Sequence, residues 1–211
     1  MTNQIYSPAM LKTYEQCRKK FFLHYIRNIF MPQSATQFET GKNIHTIAGY
    51  YLSGLDITKF EKSLTPLEVD LWQNLKKNEY FNKNPFKTEF QLNFQIENIW
   101  FGGRIDAIVR DGNDFFILDY KTGSAPKNPK YDYQTMIYLL AVDKFLENYD
   151  SLHFIYISLK NKENIVIDCT KELLQEYETK LINISTKIEA LTENNLPVYK
   201  NCACEYAKIC F

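Results

Sequence analysis

Residues 103–123 read GRIDAIVRDGNDFFILDYKTG, and this stretch decides the fold. Asp111-Gly112-Asn113 is a turn signal between two runs rich in Ile, Val and Phe. WFGGRIDAIVR (100–110) and DFFILDYK (114–121) therefore form two strands of a hairpin. Side chains alternate along a strand, so Asp119 and Lys121 project from one face and Tyr120 from the other. Asp106 sits on the neighbouring strand across the hairpin. Two carboxylates on adjacent strands can share one divalent cation, and an ammonium beside them can orient a water. Phosphodiester hydrolysis needs just that: positive charge against the phosphate and a hydroxide held in line.

Upstream of the hairpin, FKTEFQLNFQI (86–96) alternates as a half-buried strand. Phe90, Leu92, Phe94 and Ile96 share one face, and Glu89, Gln91, Asn93 and Gln95 share the other. Before residue 86 the period is helical. Ser7-Pro8 is an N-cap followed by proline at the first helical position, opening a helix over 8–27. Gly41 precedes a helix at 42–53 that carries His45, and the capping box Thr65-Pro66-Leu67-Glu68 opens another to about 79. Downstream, a loop rich in Lys, Pro, Gly and Asn leads to a helix over 131–148. SLHFIYISL (151–159) and NIVIDC (164–169) are strands, and Thr170 caps a last helix to about 193. This order predicts an α/β fold: a central mixed β-sheet flanked by helices, with an N-terminal helical elaboration and a Cys-rich C-terminal tail. The chain reads as one unit over 1–211, with a helical part at 1–85, a sheet core at 86–169 and the last helix and Cys tail at 170–211.

Composition removes several function classes. Among 211 residues, Gly and Pro number 7 each, which fits neither a disordered nor a fibrous chain. The longest apolar runs, such as IYLLAV at 137–142, are too short to cross a bilayer. MTNQIYSPAMLKT has no apolar signal region, so a cytoplasmic protein without a membrane partner is expected. Lys+Arg and Asp+Glu both number 25, and neutrality excludes a polycation that coats nucleic acid. Any contact with DNA must then be local, and the charge is uneven enough to allow it. Residues 1–47 hold six Lys/Arg and two Asp/Glu, whereas 120–131 hold three Lys and no acid. Three of the 5 cysteines, Cys202, Cys204 and Cys210, fall in the last ten residues, which suggests a metal or cluster site rather than disulfides. Cys169, at a strand end, reads as a small buried residue.

Gly103-Arg104-Ile105-Asp106, twelve residues and then Asp119-Tyr120-Lys121-Thr122-Gly123 resemble the PD-(D/E)XK nuclease superfamily, with Ile105 where its leading Pro stands. Within it the pattern resembles the RecB-like branch, which includes CRISPR-associated RecB-like exonucleases and the nuclease domains of bacterial helicase–nucleases. Gly41-x-x-x-His45 resembles that branch's upstream helix, whose histidine is a metal ligand, and Gln134-x-x-x-Tyr138 resembles its downstream helix. Cys17 with the tail trio resembles the cysteines that hold a [4Fe–4S] cluster in many members. Here Cys204 and Cys210 keep the usual five-residue gap, but only one residue separates Cys202 from Cys204 where two are usual. Zn²⁺ on the same four thiolates is the chemical rival.

The resemblance implies a restriction-endonuclease-like core and a metal-dependent deoxyribonuclease. An exonuclease on single-stranded DNA or DNA ends is expected over an endonuclease, since no segment is spare for a recognition element. Its setting would be DNA repair, recombination or CRISPR adaptation, alone, as a homo-oligomer or in a protein complex. Catalytic roles fall to Asp106, Asp119, Lys121, Gln134 and Tyr138. Metal ligands are His45, Asp106, Asp119 and the Tyr120 carbonyl, with Glu89 a further candidate. The ion is Mn²⁺ or Mg²⁺, and an imidazole among carboxylates favours Mn²⁺. Substrate contacts are assigned to Arg104, Lys127, Lys130, Gln134 and Tyr138, and Tyr131 and Tyr133 can stack on unpaired bases. The competing class is a catalytically silent adaptor that binds DNA or protein in a CRISPR or repair complex, because fold does not fix function. The joint presence of Asp106, Asp119 and Lys121 weighs against it.

Overall fold

The computed structural model describes residues 4–31, 36–197 and 204–209, with the backbone alone over 36–38. A two-residue strand, β1 (Ile5–Tyr6), comes first and is too short to leave a periodic signature in sequence. Ser7 then caps α1 (Pro8–Gln16), its hydroxyl accepting the Met10 N–H at 3.3 Å. The helix expected over 8–27 is broken at Cys17, whose backbone is extended, and resumes as α2 (Arg18–Phe21) and a π-helical turn at Phe22–Ile26. The Cys17 thiol accepts the Lys20 N–H at 3.3 Å, so it satisfies one of the donors freed at the restart. α3 (Thr36–Leu52) begins earlier than Gly41, and a short α4 (Thr58–Glu61) precedes α5 (Pro66–Lys76). The Thr65–Glu68 capping box is formed, and Glu68 also accepts from Asn43 at 2.8 Å, tying α5 to α3.

Three strands follow as a meander: β2 (Asn84–Ile96), β3 (Ile99–Asp111) and β4 (Asp114–Lys121). α6 (Tyr133–Phe145) crosses over to β5 (Ser151–Ser158), which lies parallel to β4. β6 (Glu163–Asp168) returns antiparallel, and α7 (Lys171–Glu189) closes the fold behind its Thr170 cap. The sheet is mixed, in the order β1-β3-β4-β5-β6, with β2 on the other edge of β3. β1 pairs with β3 at Trp100 and Phe101, and β4 pairs with it only from Ala107 to Asp111. Residues 102–106 of β3 therefore have no strand on that edge.

Each face of the sheet has its own core. On β4, Phe115 and Ile117 pack with α1, α6 and α7, whereas Leu118 and Tyr120 pack with Ile44 and Ile47 of α3 and Leu71 and Trp72 of α5. Phe90, Leu92, Phe94 and Ile96 of β2 all join the first core, as their alternation requires. Among the described residues no helix is long and apolar enough to cross a membrane.

Candidate active site

The site lies where β3 and β4 part. Their ladder ends at Ala107 and Leu118, and the next donor on β4, the Tyr120 N–H, is taken by Asp106 Oδ2 at 3.1 Å. Asp106 sits at a slip in the alternation of β3. Ile105 and Ile108 pack in the α6–α7 core, but Ala107 and Val109 pack in the α3–α5 core. Thr88 pairs with Ala107 and Phe90 with Ile105, so Glu89 falls opposite Asp106. Glu89 adopts a left-handed φ of 47°, a conformation that costs a non-glycine residue roughly 1–2 kcal/mol. Such local irregularity re-aims a side chain. The Glu89 side chain lies beside Gly49 of α3 and close to Asp106.

His45 reaches this point from α3. Its Nδ1 lies 3.0 Å from Asp106 Oδ1, and its Nε2 lies 3.0 Å from the Tyr120 carbonyl oxygen. Both partners can accept, so each ring nitrogen is placed where it can donate. One ligand atom from each of His45, Glu89 and Asp106 lies within 4.8 Å of the others. One imidazole, two carboxylates and the adjoining carbonyl form a donor set that fits a divalent cation. One turn along α3, a Cβ on Gly49 would approach Glu89 Cγ to 3.1 Å, so the glycine leaves room for that side chain.

Beside this group lies a second one. Lys121 Nζ stands 2.7 Å from Asp119 Oδ2 and donates to Gln134 Oε1 at 3.0 Å. The Gln134 amide donates in turn to Asp119 Oδ1, which closes a ring of three side chains. Asp119 is 2% exposed, and its Oδ2 has the ammonium nearby but accepts no well-directed hydrogen bond. Asp119 and Lys121 thus share a face, as their spacing requires. Gln134 holds these two side chains. Tyr138 is 6% exposed and donates to the Arg104 carbonyl at 2.8 Å, in the unpaired stretch of β3. Its ring explains Gly103, where a Cβ would come within 2.8 Å of it. The Arg104 Nε pairs with Glu89 at 3.1 Å. Lys127 and Lys130 are exposed on the loop between Lys121 and α6.

Burial and neighbouring carboxylates shape the titration. Burial, then the charge of Asp106, pushes Asp119 up to about 7 against the opposing pull of Lys121. Burial also raises Glu89, with Asp106 adding to it and Arg104 opposing. For His45, burial acts downward, but the Asp106 hydrogen bond and charge, helped by Asp119 and Glu89, leave it raised.

At the chain ends, Tyr206 is 1% exposed; its hydroxyl donates to the Ile29 carbonyl at 2.8 Å and lies 2.7 Å from His24 Nδ1. Lys20 pairs with Glu205 at 2.8 Å. Cys17 and Cys204 are therefore on segments that dock together, while Cys202 and Cys210 lie outside the described residues. Cys169 is half-buried rather than fully buried, and burial pushes its thiol up to about 12.

Residues 57–211 match the family described as the PD-(D/E)XK nuclease superfamily. That span holds Glu89, Asp106, Asp119, Lys121, Gln134 and Tyr138 and begins after His45. Among solved structures, the chain is similar to a "putative exonuclease" from Eubacterium rectale, with 11% identity and a TM-score of 0.56 over 95% of this chain and 91% of that one. It is also similar to SSO0001, with 15% identity and a TM-score of 0.41 over 96% and 94% of the two chains. No curated protein matches. At such identity the first likeness speaks for the fold, a mixed sheet flanked by helices.

Proposed function

We propose, on the premise that this chain belongs to the PD-(D/E)XK nuclease superfamily, that it is a metal-dependent deoxyribonuclease working on single strands or strand ends. One observation carries the reading: the ligand atoms of His45, Glu89 and Asp106 gather within 4.8 Å, beside the Asp119–Lys121 pair. A divalent cation there would set positive charge against the phosphate and acidify a water. The imidazole makes Mn²⁺ the better match than Mg²⁺. Lys121 would orient the attacking water, and Asp119 would offer the cation a further carboxylate. Gln134 is a positioning residue that fixes both side chains, and Tyr138 positions β3 through the Arg104 carbonyl. Arg104 is exposed and can exchange Glu89 for a phosphate.

A labelled linear single strand with Mn²⁺ is the direct test. Asp106→Asn and Lys121→Met should each slow cleavage about 10²–10³-fold, the usual cost of removing one charge that stabilises the transition state. Chelation should stop cleavage in the wild type. If the wild type cuts nothing with either ion, the adaptor reading takes its place. A circular single strand separates the finer alternatives, because cutting it as fast as the linear one rules out an exonuclease.

The cysteines extend the proposal. Cys17, Cys202, Cys204 and Cys210 are read as ligands of a [4Fe–4S] cluster, with Zn²⁺ as rival. Support comes from the docking of Glu205 and Tyr206 on the segment after Cys17, and from the Lys20 N–H that Cys17 Sγ already accepts. Hydrogen bonds of that kind tune cluster sulfurs. A brown protein with visible thiolate-to-iron absorbance is expected; a colourless one carrying zinc rejects iron.

A further inference from the structure

A pocket of about 510 Å³ opens between α1, the turn before α6, and α7. On α6, Tyr133 and Met136 line it, whereas Gln134 and Tyr138 belong to the active site. At 100° per residue those two pairs lie on opposed flanks of one helix, roughly 10–12 Å across. The volume falls in the ordinary range for small-molecule sites, roughly 300–1,000 Å³.

The lining has a definite chemistry. Arg18 at the start of α2 and Lys180 and Lys187 of α7 surround it, against one lining carboxylate, Glu15, which is bonded to the Tyr133 hydroxyl. Arg18 and Lys187 are exposed and make no ion pair among the described residues. Beneath them Met136, Ile184 and Tyr131 give an apolar floor. Lys180 Nζ stands 3.6 Å from the centre of the Tyr131 ring and pairs with Glu176 at 2.9 Å, so a flat group takes that face of the ring by displacing the ammonium. Tyr133 is 8% exposed and offers no such face. Cations around an apolar, aromatic floor suit a planar base that carries a phosphate.

We infer that this pocket holds one nucleotide, its base on the Tyr131–Met136–Ile184 floor and its phosphate between Arg18 and Lys187. The inference rests on the nuclease reading for its choice of ligand. Two sources share the chemistry: a nucleotide of the bound single strand, about one helix width from the bond being cut, and a released mononucleotide.

The test uses the full chain in chelator, with fluorescent oligo(dT) followed by anisotropy and dTMP by calorimetry, over a range of salt. Arg18→Glu/Lys187→Glu should weaken oligo(dT) binding tenfold or more. It should also flatten the dependence of log K on log salt by about 0.7 for each phosphate left unneutralised. Tyr131→Ala should cost about fivefold or more, and Tyr131→Phe should restore binding. Loss of both ligands in the charge-reversed variant assigns the pocket to the strand; loss of dTMP alone assigns it to the product. If neither ligand is affected by either change, the inference is overturned. Hydrolysis of bis(p-nitrophenyl) phosphate, too small to span both sites, should not change in the charge-reversed variant. If the wild type hydrolyses nothing, the nuclease reading fails while the binding arms still judge the pocket.

Discussion

His45 has an acceptor on each ring nitrogen, and this fixes how the metal-free site responds to pH. His45, Glu89 and Asp119 are all raised, so between the unfolded and folded values the native state holds protons that the unfolded chain has released. For Asp119 the window runs from about 3.9 in the unfolded chain to about 7 in the native state. Its stabilisation is complete below that window and is lost as pH rises through its upper end. His45 has the same sign, with stability lost as pH climbs past its raised value. In chelator, the melting temperature should therefore fall from about pH 6 to about pH 8, and Asp119→Asn should flatten that slope. Added Mn²⁺ should reverse it, because cation and protons compete for the same atoms. A metal-free melting temperature that climbs over this range contradicts the account. Glu89 makes a second prediction at this scale. Glu89→Gly removes the left-handed penalty but adds the entropy cost of glycine in a strand, so stability should shift by less than about 1 kcal/mol. Mn²⁺ affinity, read by titration calorimetry, should nevertheless drop. Asp119 and Lys121 were legible because strand alternation places them on one face, and Asp106 because it sits across the hairpin, although the slip in β3 that aims it left no mark in the sequence. Glu89 stood only as a further candidate, since its direction depends on a backbone irregularity that emerges when β2 lies against β3.

At the scale of elements, caps and alternation were readable and interruptions were not. Ser7 and Thr65 cap their helices as the sequence suggests, and the even positions of β2 bury together. The helix through 8–27 breaks because Cys17 leaves helical geometry, and no residue there is a proline or glycine to announce it. α6 spans Tyr133–Phe145 rather than 131–148, since Asp132 accepts the Gln134 N–H at 3.0 Å and starts the helix there. The motif positions of Gln134 and Tyr138 were evident, but their partners depend on how α6 docks on the sheet. That docking is tight at Gly103. Gly103→Ala pushes a methyl into the Tyr138 ring and should destabilise the fold by about 1–3 kcal/mol, the usual range for overpacking. In a Tyr138→Ala background the same change should cost much less, and denaturant unfolding of the four proteins measures that coupling. Equal costs in both backgrounds show that the ring does not require the glycine.

For the molecule as a whole, zero net charge first limits any DNA contact to local sites, and two features lie on opposite flanks of α6: a carboxylate–imidazole group suited to a cation, and the pocket lined by Arg18, Lys180 and Lys187 that we propose for a nucleotide. The chain ends add a third organising contact. Sequence places Cys17 near one end and three cysteines near the other, and the fold brings the segments of Cys17 and Cys204 together through Tyr206, His24 and the Ile29 carbonyl. Lys20–Glu205 adds a partly exposed ion pair of modest worth, so the buried Tyr206 ring and its hydroxyl should dominate this docking. Tyr206→Phe keeps the ring and loses the hydroxyl, at a cost of about 0.5–1.5 kcal/mol for each hydrogen bond. Tyr206→Ala also empties a buried site, which costs about 3–5 kcal/mol for a large aromatic. Because the tail rests on the π-helical turn, both variants should speed amide exchange across 20–30 while leaving β3 and β4 protected. Exchange rising equally in β3 and β4 means that Tyr206 supports the whole fold rather than the junction of the ends. If thiolates hold a metal there, chelating it should reproduce the local pattern in the wild type and add little in Tyr206→Ala, because both changes undo the same docking.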